Sequence, residues 1–246
     1  MLWSMQIAPV SSTYKVYHSV EAVKFTTDNS GIIAVLDDST SLMIVVLTST
    51  YGTIANTFQD TNTESAVGYI TPHGLNVDSS FNIYLASSYD GKWSLMKFLG
   101  SQSTTITMGF HVTSSESNTC MSSTDITMQF NGVAIIVAGS IYSGGVCSQQ
   151  LIQLSGSTGA VGWALTSTIP SVNIKHIAHF ATVNQLYACG SGNSYPLLMR
   201  LDITTGSLIT TAPFSKIYST YSGPNINQEC LAITPSTVTD SAFALI

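Results

Sequence analysis

A strand-and-turn pattern recurs along this chain at intervals close to fifty residues, and that period restricts the fold more than any other feature. Four apolar runs carry it: Ile32-Ile33-Ala34-Val35-Leu36, Ile83-Tyr84-Leu85-Ala86-Ser87, Ile135-Ile136-Val137-Ala138-Gly139 and Leu186-Tyr187-Ala188-Cys189-Gly190. Aligning Asp38, Ser88, Ser140 and Ser191 at their ends gives steps of 50, 52 and 51 residues. A second set of runs follows in step: Met43 to Leu47, Leu95 to Leu99, Gln150 to Leu154, and Leu197 to Leu201. The terminal leucine recurs at 47, 99, 154 and 201, and five residues beyond it stands Gly52, Thr104, Gly159 or Gly206. Glycine there supplies the positive φ that a tight hairpin requires.

Each unit reads as strand, turn, strand, loop, strand, turn, strand. Four strands in 40 to 50 residues is the size of one β-propeller blade. Helical periodicity is absent almost throughout, and Gly, Pro, Ser and Thr interrupt the chain about every ten residues. The expected fold is therefore all-β, a β-propeller of four-stranded blades, with about four to five blades in residues 1–246. Blades are expected near 18–60, 68–113, 122–169 and 174–215. A fourth strand is expected at 1–8, and a partial blade at 226–246. Trp3 and Trp163 then occupy equivalent fourth-strand positions and should be buried. Two readings of the ends stand open. Leu2 to Ile7 could pair in the blade begun by Glu229 to Ile233 and close a ring, or the chain is a stretch of a longer repeat array.

Composition narrows the function classes. Hydrophobic residues make up 44% of the chain, too many for disorder. Charged residues are only 8%, against about 25% in an average soluble domain. Polarity comes from 36 Ser and 30 Thr instead. The seven basic residues are scattered and the net charge is −6. That argues against nucleic acid, which needs clustered Lys and Arg, and against a polybasic membrane footprint. No run reaches the length of a membrane span, and Met1 to Ile7 does not read as a secretory leader.

The unit Asn82-Ile-Tyr84-Leu-Ala-Ser-Ser88 with Leu95-Met-Lys-Phe98, and the stretch Leu197-Leu-Met-Arg-Leu-Asp202-Ile-Thr-Thr-Gly206, resemble the short four-stranded β-propeller repeats of secreted and cell-surface proteins. The resemblance spans roughly residues 20 to 215. It implies scaffolding or adhesion within larger assemblies. Blade one departs from the pattern in lacking the Asp, and blade two in lacking the Gly. The Trp-Asp and Gly-His signatures of intracellular propeller repeats are absent.

Chemistry-bearing constellations are sparse. His18, His73 and His176 fall near the beginnings of first strands, but they do not align to one repeat column. His176 and His179, three apart in a strand, face opposite sides. Asp60-Thr-Asn62-Thr-Glu64 echoes alternate calcium ligands but has Ser65 where such loops need Gly. No Gly-x-Ser-x-Gly elbow or phosphate-cradling loop occurs. Neither a catalytic residue, a metal site nor a cofactor is therefore expected. Tyr89, Trp93 and Tyr195 lie at or near second-to-third-strand loops, where aromatics suit a glycan- or peptide-binding patch.

Four cysteines in so uncharged a domain point to an oxidising compartment. Cys120 and Cys147 are the expected pair, since the start of a blade's first strand and the end of its second share one face. Cys189 and Cys230 are a second candidate pair, the alternative being a buried free thiol at Cys189. The leading functional expectation is a non-enzymatic extracellular or cell-surface propeller with a structural, adhesive or assembly role. Its partners would be other protein chains, copies of itself, or glycans. A carbohydrate- or peptide-binding module is the first alternative, and a propeller hydrolase or lyase the second.

Overall fold

The computed structural model describes residues 19–26, 28–37, 42–60, 70–89, 92–100, 105–113, 127–130, 133–143, 146–166, 172–180, 184–192, 195–209, 215–217, 230, 232–235 and 242–245. Every regular element among them is a strand. The chain divides into two compact units, Met1–Thr113 and Ser114–Ile246.

The first unit holds two antiparallel sheets. One runs β1 (Ser19–Phe25), β2 (Gly31–Asp37), β3 (Leu42–Thr48) and β4 (Ile54–Asp60); the other runs β5 (Ile70–Val77), β6 (Ile83–Tyr89), β7 (Lys92–Leu99) and β8 (Thr107–Thr113). Central strands read as continuous apolar runs because both of their faces are covered. Ile33, Val35, Ile44 and Val46 of the first sheet share a core with Ile83, Leu85, Met96 and Phe98 of the second. Ala34, Val45 and Leu47 form a smaller cluster on the opposite face.

The second unit repeats the plan. One sheet comprises β9 (Thr127–Phe130), β10 (Ala134–Ser143), β11 (Val146–Ser155) and β12 (Val161–Thr166). The next comprises β13 (Asn173–Phe180), β14 (Gln185–Gly192), β15 (Tyr195–Asp202) and β16 (Ser215–Ile217). A two-stranded sheet follows, β17 (Ala232–Pro235) and β18 (Ala242–Leu245). Ile136, Ala138 and Leu151 pack against Ile174, Ile177, Leu186 and Met199 across the sheets. Four-stranded antiparallel meanders stacked face to face are the blades of a β-propeller. The fold class is as the repeats predicted.

Strand pairing refines the repeat. Ile32 lies opposite Leu47, Ile83 opposite Phe98, Ile135 opposite Leu154, and Leu186 opposite Leu201. Phe98, not Leu99, is thus the blade-two equivalent of the recurring leucine. It is buried while Leu99 is exposed. Likewise Asp37, not Asp38, matches Ser88, Ser140 and Ser191. Alternation lets either of two adjacent apolar residues be the inward one, and the neighbouring sheet chooses.

The third-to-fourth-strand turn is built identically in blades one, three and four. The amide of Gly52 donates to the Thr48 carbonyl, Gly159 to Ser155, and Gly206 to Asp202, at 2.8 to 2.9 Å. All three glycines have φ near +70°. In blade two the left-handed residue is Gly100, at φ 83°; the expected turn position Thr104 lies outside the described residues. Just past the turn, the fourth strand carries one extra residue. Pairing skips Ala55, Gly109 and Gly162 in β4, β8 and β12. First strands have their own repeated bulge, at Glu21, His73 and Lys175. Bulges recurring at one register are features of the design and not local faults.

Candidate interaction surface

In each blade one residue just past the third-strand turn stands directly opposite the recurring inward residue: the first of β4 and of β12, the second of β8, and in blade four Leu208, which pairs in an isolated bridge ahead of β16. The pairs are Leu47 with Ile54, Phe98 with Met108, Leu154 with Val161, and Leu201 with Leu208. The third-strand partner is buried in every case. The residue opposite is apolar in every case and remains open to solvent: Ile54 49%, Met108 40%, Val161 59%, Leu208 42%. Exposed Tyr51, Leu99 and Val133 lie in or beside the turns at that same end of their blades. Scattered exposed apolar residues are ordinary. Apolar residues recurring at one register of every blade form a systematic surface feature.

The same end carries a repeated tie between neighbouring blades. In the first unit the Asn56 side-chain amide donates to the Gly100 carbonyl at 3.5 Å. In the second, Trp163 occupies the register of Asn56, and its indole N–H donates to the Ile203 carbonyl at 2.9 Å. Gln153 Nε2 reaches that carbonyl too, at 2.8 Å. Gly100 and Ile203 are equivalent, each two residues past the inward Phe98 or Leu201. Trp163 is half-buried against the second unit's core and lies over Gly206. Trp3 lies outside the described residues, so its equivalence is not in view.

Carboxylates anchor the turns. Asp78 accepts from the amides of Ser80 and Asn82, from Asn82 Nδ2, and from the Tyr84 hydroxyl, all within 2.8 to 2.9 Å. Burial alone would raise its pKa, but these donors outweigh that and hold it below the ordinary value. Tyr84 is buried, and burial, then its bond to Asp78, pushes its hydroxyl pKa up. Lys97 stands opposite Tyr84 with Nζ 5.2 Å from the ring centroid, and 5.9 Å from that of Phe110. Asp28 is fully exposed, and bonds from the Ser30 amide, the Thr26 hydroxyl and the Ser30 hydroxyl lower its pKa to about 2.

A Ser–His contact missed in the sequence joins Ser94 Oγ to His111 Nε2 at 2.7 Å. Ser94 is completely buried, so its hydroxyl is a satisfied core group and not an accessible nucleophile. Only strand pairing brings the two together, since they lie on β7 and β8. Among the described residues no cluster of three His, Cys, Asp or Glu side chains is placed to hold a metal. His176 Nδ1 accepts from the Ile233 amide at 3.4 Å, and burial lowers its pKa. Burial likewise lowers that of His179, against a hydrogen bond with Asn184. His18, and the side chain of His73, lie outside the described residues, as do residues 61–65 of the calcium-like segment.

The aromatic patch is corrected at one position. Trp93 lies near the second-to-third-strand loop as the second residue of β7, but it is 4% exposed, so its ring offers no face to a ligand. It pairs with Ser88 and points inward by the alternation of its strand. Tyr195 begins β15 opposite Gly192 and is 39% exposed. Tyr89 ends β6, its side chain outside the described residues. Tyr89 and Trp93 belong to the first unit and Tyr195 to the second.

Cys189 and Cys230 form a disulfide, with Cα atoms 5.4 Å apart, so Cys189 is not a free thiol. The bond joins β14 to the segment ahead of β17. Cys230 also donates its amide to the Gly190 carbonyl at 2.8 Å. Phe180, Tyr187, Leu198 and Ile233 pack around the pair. For the expected Cys120–Cys147 bridge, Cys120 and the side chain of Cys147 lie outside the described residues; Cys147 itself sits on β11 opposite Tyr142.

No protein-family model matches the sequence, and no curated protein matches it. Solved structures do. Sqt1 from Chaetomium thermophilum is similar at 14% identity and a TM-score of 0.56, over 88% of this chain and 53% of that one. A putative 6-phosphogluconolactonase from Bacteroides uniformis is similar at 12% identity and 0.52, over 80% and 55%. The Dos1 propeller is similar at 11% identity and 0.50, over 79% and 48%. The chain thus spans about half the length of the structures it matches. At these identities the likeness bears on the fold alone.

Proposed function

We propose that this chain is a non-enzymatic β-propeller module of the cell exterior that serves assembly or adhesion through the turn-end rim of its outer strands. One observation carries the reading: Ile54, Met108, Val161 and Leu208 repeat an exposed apolar side chain at one register of four blades. Drift would put polar residues at solvent-exposed positions of so Ser- and Thr-rich a chain. Apolar groups left open to solvent at the same place in four blades suit contact with another surface. The Cys189–Cys230 bridge supports an oxidising compartment. Among the described residues no helix is long and apolar enough to cross a membrane.

The test is a quadruple substitution of Ile54, Met108, Val161 and Leu208 by Ser in the full chain. Melting temperature and circular dichroism should stay near those of the parent, while self-association and retention on cell surfaces should fall. Retention and association equal to the parent's, in a folded variant, would overturn the proposal. A glycan- or peptide-binding reading rests on the exposed ring of Tyr195. Tyr195→Ala should then abolish binding on a glycan or peptide array.

A further inference from the structure

The last sheet is fastened differently from the sheets before it. Among the described residues β17–β18 has two strands where each blade has four, and a two-stranded hairpin is marginally stable on its own. Blades three and four hold each other through a broad apolar face, Ile136, Ala138 and Leu151 against Ile174, Ile177, Leu186 and Met199. The ties between β17 and blade four gather instead around one covalent bond. Cys230, two residues ahead of β17, is joined to Cys189 of β14. Its amide donates to the Gly190 carbonyl at 2.8 Å, and the Ile233 amide donates to His176 Nδ1 at 3.4 Å. Cys230 and Ile233 complete an apolar cluster with Ala178, Phe180, Tyr187 and Leu198 of blade four. Tyr187 and Leu198 alternate with Leu186, Ala188 and Leu197, which face blade three. The segment therefore covers the other face of blade four.

We propose that Cys189–Cys230 is a redox clasp: a dithiol reductant that opens it releases β17–β18 and uncovers the blade-four face built by Phe180, Tyr187 and Leu198. The exchange is balanced. A reductant thiolate attacks one bridge sulfur, the S–S bond breaks, and the other cysteine leaves as a thiolate and takes a proton. The reductant's second thiol then displaces the first from the mixed disulfide, so both cysteines end as thiols and the reductant as a disulfide. Both bridge cysteines are buried, so attack follows local lifting of the segment. Without the bond the lifted sheet is no longer kept beside its face, and the hairpin has little stability of its own to hold it there. The clasp is independent of the turn-end rim, whose four residues lie in other segments.

Hydrogen exchange of the full chain, before and after treatment with dithiothreitol, tests this. Reduction should speed exchange at the amides of Ala232 to Thr234 and Ala242 to Leu245 by at least about ten-fold. Protection in β10, β11, β14 and β15 should stay as it was. Cys189→Ala combined with Cys230→Ala should reproduce the change without reductant, and dithiothreitol should add nothing further there. Unchanged protection of β17 and β18 in chains whose two thiols are shown by alkylation to be free overturns the proposal. So does loss of protection throughout residues 114–246, which would make the bond a support of the whole unit. A bridge that dithiothreitol leaves intact in the folded chain overturns the switch, whatever the alanine variant does. Further loosening of β17 and β18 by reductant in that variant also overturns it, by assigning the release to other thiols.

Discussion

The two units solve one geometric problem with different chemistry. Each must hold the outer strand of one blade to the turn of the next, and each does so from the residue that follows the bulge. The first unit uses Asn56, whose amide reaches the Gly100 carbonyl across 3.5 Å and whose carbonyl oxygen accepts the Thr57 amide at 2.9 Å. The second uses Trp163, which donates to Ile203 and also lays a large ring on Gly206 and the core. Backbone geometry is what the repeat conserves; the side chain that exploits it is free to change. A hydrogen bond alone contributes modestly because its groups were solvated in the unfolded chain. The indole adds buried area to the bond, so the second unit's tie should be the stronger.

Trp163→Ala should therefore give the largest effect, about 3 kcal/mol in a denaturant melt, the low end for large aromatics because the ring is only half-buried. A loss under about 1 kcal/mol would make the ring a surface ornament. Gly206→Ala comes next. It places a Cβ against the Trp163 ring at a φ of 70°, where an L-residue costs about 1 to 2 kcal/mol. Gly206→Ala combined with Trp163→Ala should cost less than the two singles summed. Strict additivity would show that the ring and the glycine do not meet. Asn56→Ala should cost about 1 kcal/mol. A cost equal to that of Trp163→Ala would erase the contrast between the units.

Acid should separate the units as well. His176 has its pKa lowered from 6.5 by burial, so its contribution is complete above that pH and is lost as pH falls through the depressed value. Protonation removes the acceptor used by the Ile233 amide. Exchange at that amide, corrected for its intrinsic rate, should speed up as pH falls below 6.5 through the depressed value. An unchanged rate would mean the bond does not hold β17. Asp28 in the first unit should give the smallest effect. Its carboxylate, lowered from 3.8 to about 2, contributes above 3.8, and that contribution is lost only as pH falls to about 2. The melting difference between the parent and Asp28→Ala should be constant near neutrality and close in that acid range. A difference that persisted at pH 1.5, below about both values, would assign the effect to something other than charge.

What the sequence by itself determined is whatever acts over a few residues. Strand existence, blade period and turn glycines at 52, 159 and 206 follow from side-chain alternation and from the left-handed backbone that glycine tolerates. The tertiary structure decided everything that needs a neighbouring sheet. It chose Phe98 over Leu99 as the inward residue, since two adjacent apolar side chains cannot both face the core. It buried Trp93, which was expected to offer its ring near the second-to-third-strand loop, because pairing with Ser88 carries β7 almost to the hairpin. It joined Cys189 to Cys230 across a separation of 41 residues, where spacing left that pairing as one choice beside a free thiol. It also exposed the rim residues: Ile54, Met108, Val161 and Leu208 read as ordinary apolar strand residues until the register sets each beside a buried partner with no further strand among the described residues to cover it. Burial is a property of what lies across the sheet, and no local rule contains it.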